Sequence, residues 1–478
     1  MASREDGEIG VSIAKLGDDD DDARESLISK GKESVSMVLF STFVAVCGSF
    51  EFGSCIGFSA PAQADLRKDL DLSLSEYGLF GSLMNFGAMI GAVASGPTSD
   101  FIGRKGAMRA SAIICTIGWL AIYFAQGAVL LDLGRFATGY GIGVLSYVVP
   151  IFIAEITPKN LRGALTTLNQ LMITVGIAVA FIIGALVSWR TLALTGIVPC
   201  FVLLVGLVFI PESPRWLAKI GRRKEFEDAC QILRGKDADI SAEVQEIQEH
   251  IDTLETLPKG RVQDLFQWNY IRPVIIGVGL MVFQQFGGVN GIIFYSSETF
   301  AAAGFSSARL ATILLGLTQI PVTILGAIFL DRTGRRPLLM ISASGTFLGT
   351  FQAGLSFYFR DHNMYTDWAP ILAVSGMLTY LGSFSIGMGA IPWVIMSEIF
   401  PLNIKGIAGS LVTLVNWSGS WCTSYSFNFL MSWNSAGTFF IYAIINALTV
   451  VFVAKMVPET KGRTLEEIHA SMSPHTRI

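Results

Sequence analysis

The chain has 478 residues, 51% hydrophobic and 15% charged, with a mean hydropathy of +0.54 and a formal net charge of −4. Soluble domains are nearer a quarter charged, so the composition excludes an ordinary soluble protein. The sequence has no GxxxxGK[ST] loop to cradle phosphates, no nucleophile–base set and no metal-ligand spacing. That argues against an ATP-driven pump and against an enzyme.

The charge is unevenly spread. Residues 1–34 form an acidic tail containing a run from Asp18 to Asp22. It lacks the short apolar core of a signal peptide and is expected to be a disordered cytosolic segment. Within it "DARESLI" resembles an acidic dileucine sorting signal, with Asp22 ahead of Leu27–Ile28. Six apolar blocks follow, near 37–58, 77–97, 107–127, 130–154, 164–187 and 191–210. Each is long enough, at about 20 residues, to cross a bilayer as a helix. The first holds "VAVCGSFEFGSCIGFSAP" (44–61), with Glu51 in its middle. An acid there costs roughly 2.5–3.5 kcal/mol, so it needs a reason.

Residues 212–272 are polar. Ile240, Val244, Ile247, Ile251 and Leu254 recur at helical spacing, which predicts an amphipathic cytosolic helix in a linker. Six further apolar blocks lie near 273–297, 308–330, 337–358, 369–397, 404–430 and 434–456. The expected fold is therefore all-α, with 12 transmembrane helices, a six-helix half at 35–211, another at 273–457 and a cytosolic tail at 458–478. Lys and Arg gather in alternate loops, at Arg104, Lys105 and Arg109, Lys159 and Arg162, Arg332, Arg335 and Arg336, Lys405, Lys461 and Arg463. The positive-inside rule puts those loops and both termini in the cytosol. The cysteines (Cys47, Cys55, Cys115, Cys200, Cys230 and Cys422) read as small apolar filler, with no metal implied. "NWS" at Asn416 matches a glycosylation sequon but falls inside a span.

The halves repeat. In "AEITPKNLRG" (154–163) and "SEIFPLNIKG" (397–406), Glu155, Pro158, Asn160, Arg162 and Gly163 match Glu398, Pro401, Asn403, Lys405 and Gly406. In "SDFIGRK" (99–105) and "LDRTGRR" (330–336), Asp100, Gly103 and Arg104 match Asp331, Gly334 and Arg335, while "PESPR" (211–215) returns as "PETKG" (458–462). The repeat is parallel, an arrangement that alternating-access carriers use with the substrate between the halves. The charged members (Asp100, Arg104, Glu155, Arg162, Glu212, Asp331, Arg335, Arg336, Glu398, Lys405 and Glu459) are expected to pair as a cytosolic gate. The plainer alternative is that they only anchor helix ends.

Amides inside apolar spans point to a polar chamber. They are Asn169 and Gln170, Gln284, Gln285 and Asn290 in "QQFGGVN", Gln319, and Asn416, with Trp393 and Trp417 to cover C–H surfaces. Amides donate and accept, which suits a neutral polyhydroxyl ligand, whereas an anion would call for buried Arg or Lys. Any single amide has a bland alternative as a helix–helix hydrogen bond.

Together with "GRFATGYGIG" (134–143), "PESPRWL" (211–217), "QQFGGVNGIIFY" (284–295) and "IPW" (391–393), these motifs resemble the sugar porter family of the major facilitator superfamily over nearly the whole chain. Within it the chain is most similar to the plant early-responsive-to-dehydration-like monosaccharide transporters, which are often vacuolar. The resemblance implies sugar contacts at Gln170, Gln284, Gln285, Asn290, Gln319, Trp393 and Asn416. It implies a monosaccharide as partner within a lipid bilayer, no cofactor and no nucleic acid, and a chain that works as a monomer. The sequence departs from the family pattern at Phe101, where an Arg is usual, at Ala390, where a Pro is usual, and at Ser385, where some glucose facilitators have an acid. The "QLS" of some glucose-selective members is absent.

Proton-coupled relatives carry an Asp in "FGYD", where "FGSC" puts Cys55. Glu51 stands one turn earlier on the same face. Arg135 matches the Arg that pairs with that Asp, so it is the expected partner of Glu51. Three readings stay open: proton-coupled carrier, uniporter, and sugar sensor without transport. For Glu51 itself, the alternatives to proton exchange are a fixed structural pair and a hydrogen-bond acceptor for the ligand.

Overall fold

The computed structural model describes residues 34–158, 161–256, 261–401, 404–463 and 467. Leu27–Ile28, Asn160 and Asn403 lie outside the described residues, as do the side chains of Asp331 and Leu254. Among the described residues all regular structure is helical.

Among the described residues ten helices are long and apolar enough to cross a membrane. They are α1 (Ser36–Gly57), α3 (Leu74–Tyr123), α4 (Ala128–Ile156), α5 (Arg162–Leu186), α6 (Trp189–Phe209), the run Tyr270–Phe294, α13 (Ala308–Thr333), α14 (Arg335–Asp361), the run Ala369–Ile399 and α18 (Ser435–Met456). Before α3 stands the short α2 (Ser59–Asp69). The 50-residue α3 is two spans joined at Gly103, whose φ of 81° and ψ of 170° break the helix. The twelfth span is α17 (Lys405–Trp433), rich in Ser and Thr and so less apolar than the others. The expected twelve-span, all-α fold is the one observed.

Local chemistry sets the ends. Ser73 and Glu76 form a capping box at the start of α3, where Ser73 N donates to Glu76 Oε2 at 2.8 Å and Glu76 N to Ser73 Oγ at 3.2 Å. Asn434 caps α18 through the amide of Gly437 at 2.6 Å. Small residues let helices approach closely. A Cβ added to Gly91 on α3 would sit 2.1 Å from the Tyr140 carbonyl oxygen on α4, and one on Gly143 would sit 2.3 Å from that of Ala88.

The sequence repeat reappears as backbone. Gly334, between α13 and α14, has φ 95° and ψ 167°, close to the angles at Gly103. Two predicted single spans are interrupted. The run 268–302 divides into α10 (Trp268–Phe286), α11 (Val289–Phe294) and α12 (Ser296–Ala302), with Gly288 at φ 99° in the break. The run 369–399 divides into α15 (Ala369–Ser383), a π-turn at Phe384–Met388 and α16 (Ile391–Ile399).

By compactness the described residues divide into one unit of 34–42 with 210–256 and another of 43–209 with 261–463. The smaller unit holds α7 (Pro214–Lys219), α8 (Arg223–Arg234) and α9 (Ser241–Thr256). Its core is Trp216, Leu217, Phe226, Ala229, Cys230 and Ile247, with Ile240, Val244 and Ile251 packed on it, as the amphipathic spacing predicted. Arg234, almost fully buried, forks onto Glu243 at 2.8 and 2.6 Å and ties α8 to α9.

Candidate functional site

The interrupted helices bring four predicted amides into one hydrogen-bonded chain. Asn290 Nδ2 donates to Gln285 Oε1 at 2.6 Å. Gln285 Nε2 donates to Asn416 Oδ1 on α17 at 2.6 Å and to Gln284 Oε1 at 3.1 Å. Gln284 Nε2 donates to the Met388 carbonyl at 2.5 Å. Gln285 and Asn290 are five apart in sequence, which an unbroken helix would not align. The left-handed Gly288 makes the alignment possible, as only glycine takes that conformation without strain. The break is pinned at the Gly287 carbonyl, which accepts from Tyr380 Oη at 3.0 Å and from Asn446 Nδ2 at 3.2 Å.

The other predicted contacts sit apart from this chain. Gln170 on α5 is half-buried and its side-chain amide makes no hydrogen bond among the described residues. Gln319 on α13 is buried and, among the described residues, its amide reaches its own helix at the Leu315 carbonyl 3.4 Å away. One turn on from each, Thr174 and Thr323 meet at 3.4 Å, so α5 and α13 face one another beside these two glutamines. Asn169 accepts from Ser49 Oγ on α1 at 2.7 Å. Trp393 is 39% exposed and has no hydrogen bond or ring contact to the amides. Trp417 packs against Phe52 of α1 with centroids 5.8 Å apart.

The expected pairing of Glu51 with Arg135 is not formed. Glu51 is fully buried, and its Oε1 accepts from Trp119 Nε1 at 2.6 Å and from the Cys55 thiol at 3.3 Å. Among the described residues its Oε2 has no partner within hydrogen-bond geometry. Arg135 donates to the Cys55 carbonyl at 2.9 Å and to Ser59 Oγ. Its guanidinium lies 5.1 Å from the Phe80 ring centroid and 5.7 Å from that of Phe58, within cation–π range. Cys55 thus separates the two charges, its thiol facing the acid and its carbonyl the base. Sequence spacing fixed the shared face of Glu51 and Cys55. It could not fix which atoms of Cys55 would stand between Glu51 and α4.

The repeated loop motifs pair within each half. Arg104 grips Glu155 through two bonds of 2.9 Å and reaches Asp100 at 3.1 Å. Arg335 reaches Glu398 at 3.1 Å, the same pair in the second half. Glu459 accepts from four backbone amides, Arg335, Arg336, Thr460 and Lys461, at 2.8–3.1 Å. Arg336 donates to the Ala454 carbonyl, and Lys405 Nζ to that of Ser397 at 2.8 Å. Glu212 Oε1 accepts from the Ser213 amide at 2.8 Å, within the smaller unit. Arg162 opens α5, where its carbonyl accepts from Thr166 Oγ1 at 2.7 Å.

Several partners were missed in the sequence. Asn85 Nδ2 on α3 donates to Ser424 Oγ on α17 at 2.9 Å, joining the first six spans to the last six. Asn85 and Asn446 are amides inside apolar runs, so the rule that singled out Gln285 would have found both. Trp119 carried a weaker signal, as a buried indole N–H needs an acceptor.

A family model described as "Sugar (and other) transporter" matches residues 41–472. The chain belongs to that family. It is 63% identical over 474 residues to Sugar transporter ERD6-like 16 of Arabidopsis thaliana, covering 98% of each chain, and 61% identical over 459 residues to Sugar transporter ERD6-like 7 of the same plant, covering 95% of this chain and 99% of that one. Among solved structures it is similar to the inward-open conformation of the xylose transporter XylE from E. coli (TM-score 0.77, 27% identity, 91% of this chain and 99% of that one). It is likewise similar to the major facilitator proton:xylose symporter XylE bound to 6-bromo-6-deoxy-D-glucose (TM-score 0.74, 27% identity, with the same shares covered). The fold is that of the major facilitators, and the protein is a multi-pass membrane transporter of the sugar family rather than an enzyme.

Proposed function

We propose that this protein carries monosaccharides of the glucose type by alternating access. In this reading the amide chain Gln284–Gln285–Asn290–Asn416 forms the core of the sugar site, and Gln170, Gln319 and Trp393 complete it in another conformation. The observation that carries the reading is the linked set of four amides. Such a set offers donors and acceptors to hydroxyl groups and no charge to an ion. The two six-span halves, 35–211 and 273–457, rock about it. Arg104–Glu155 and Arg335–Glu398, with Asp331, Arg162, Glu212, Arg336, Lys405 and Glu459, hold the cytosolic side. Both termini face the cytosol, and the vacuolar membrane is the favoured site.

Coupling to protons goes through Glu51. In support, Glu51 is a buried acid that has, among the described residues, two donors on one oxygen, none on the other and no ion pair, and the structurally similar XylE is a proton:xylose symporter. A uniporter is the second reading. It is favoured by the separation of Glu51 from Arg135, which leaves the base bound to Cys55 and Ser59. Sugar-driven proton flux into proteoliposomes decides between them. Coupling predicts flux in the wild type and none in Glu51→Gln. Equal flux in both excludes Glu51, and no flux in the wild type establishes uniport.

A further inference from the structure

The direction of the amide chain is set at one end by a carbonyl that a helix would normally occupy. In an α-helix the Met388 carbonyl would accept from the amide of residue 392, four positions on. That residue is Pro392, which has no N–H. The carbonyl is left to the side chain of Gln284, whose Nε2 lies 2.5 Å away and also 3.4 Å from the Gly389 carbonyl. Two carbonyls fix which end of the Gln284 amide points at the π-turn. Oε1 must then face Gln285 Nε2, and Gln285 Oε1 must accept from Asn290. Asn416 is held by its oxygen and Asn290 by its nitrogen, so a nitrogen of Asn416 and an oxygen of Asn290 remain for a ligand.

The π-turn itself is held by a residue outside the site. Ser342 on α14 is fully buried. Its hydroxyl donates to the Ser383 carbonyl at 2.5 Å, just before the π-turn, and accepts from the Met388 amide at 2.8 Å, at its end. One hydroxyl thus bridges both ends of the widened turn. The fit there is close: a Cβ on Gly387 would lie 2.7 Å from Ser342 Cβ, and one on Gly326 of α13 would lie 2.6 Å from the Ile386 carbonyl oxygen.

We propose that Ser342 is a positioning residue for substrate recognition: by clamping the π-turn it aims the Met388 carbonyl at Gln284 and so sets the donor–acceptor direction of the whole amide chain. This rests on the reading of that chain as the sugar site. The test is a double-mutant cycle in proteoliposomes, with KM and turnover measured for hexose uptake in wild type, Ser342→Ala, Gln284→Ala and the double variant. Ser342→Ala is expected to raise KM about three- to tenfold, as for loss of one or two buried hydrogen bonds, with turnover nearly kept. In the Gln284→Ala background the same change should add almost nothing, because the relay is already cut. Ser342→Cys, which keeps a weak donor and acceptor, should restore part of the affinity, and it serves as the probe if the Ala variant does not fold. If Gln284→Ala raises KM and the Ser342 effect simply adds to it, the relay is overturned and Ser342 is only structural. If Ser342→Ala leaves KM unchanged, the relay is overturned as well. If Gln284→Ala leaves KM unchanged, the site reading falls, and the relay with it.

Discussion

At the residue scale the account turns on amides that satisfy one another across three helices. Gln285 makes three side-chain bonds, to Gln284, Asn290 and Asn416, so no amide in the chain is left wholly unpaired in the apolar interior. A sugar hydroxyl must exchange with these bonds, which favours selectivity over raw affinity. Removing one amide removes a partner from both protein and ligand, a loss of about 1–3 kcal/mol. Asn416→Ala is therefore expected to raise the KM for hexose about 5- to 150-fold, as read by uptake of labelled sugar, while the protein still folds. A KM within twofold of wild type would remove Asn416 from the site. These amides were legible in the sequence because polar side chains are rare in apolar spans, and the rarity itself is the signal. The Glu51–Arg135 pairing was misread for an equally physical reason. Spacing along α1 gives the face a side chain occupies, but the partner of an arginine on α4 depends on the rotation and approach of two helices. Cys55 and Ser59 took that guanidinium, and Trp119 took the acid.

At the element scale the breaks matter more than the spans. Length and hydropathy placed twelve spans, and the structure keeps them. The interruption at Gly287–Gly288 was legible in the paired glycines between Gln285 and Asn290, whereas the one at Phe384–Met388 leaves no mark in a hydropathy pattern, which does not register which carbonyl lacks a donor. Pro392 was the legible clue for the second break, since it deprives Met388 of its helical partner. The repeated glycine is another element-scale device. Gly334 needs its positive φ, and a Cβ there would meet Glu459 Oε2 at 2.8 Å. Glu459 caps the start of α14, where the helix dipole also favours an anion. Burial pushes its carboxyl upward, but the backbone amides of Lys461, Arg335, Arg336 and Thr460 outweigh that and hold it below the ordinary carboxylate range. A group lowered in the folded state contributes stability above its unfolded pKa, about 4.3 for Glu, and loses it as pH falls through the folded value. Glu459→Gln should therefore melt at a lower temperature than wild type at neutral pH, and the gap should close as pH drops below about 4. Melting curves of the purified protein that show a pH-independent gap would assign Glu459 a role other than an ionised cap.

At the scale of the whole molecule, several polar bonds among the described residues join the two sets of six spans. Asn85 meets Ser424, Thr174 meets Thr323, and Arg67 on α2 meets Glu298 on α12 at 3.2 Å with a second contact from Gln63. The Arg67–Glu298 side chains are 30% and 44% exposed. An ion pair that wet is worth about 0–1 kcal/mol, small enough to break in every transport cycle. Within each half the pairs are better shielded: Arg104 and Glu155 are 11% and 13% exposed, and Arg335 and Glu398 are 19% and 24%. On the proposed alternating-access reading, the exposed Arg67–Glu298 pair opens while the shielded pairs within each half stay closed. Replacing Arg67 and Glu298 with cysteines and bridging them with a short reversible thiol reagent should stop transport, and cleaving the bridge should restore it. Uninterrupted transport with the bridge formed would show that α2 and α12 do not separate.

Counterflow puts the whole account to the most direct test. Sealed vesicles holding the purified protein and a high concentration of unlabelled glucose are placed in trace labelled glucose, at equal pH on both sides. The account predicts a transient, saturable accumulation of label that Gln285→Ala strongly reduces, because one amide-lined site faces each side in turn. Binding of labelled glucose without accumulation would contradict it and leave a sensor in place of a carrier.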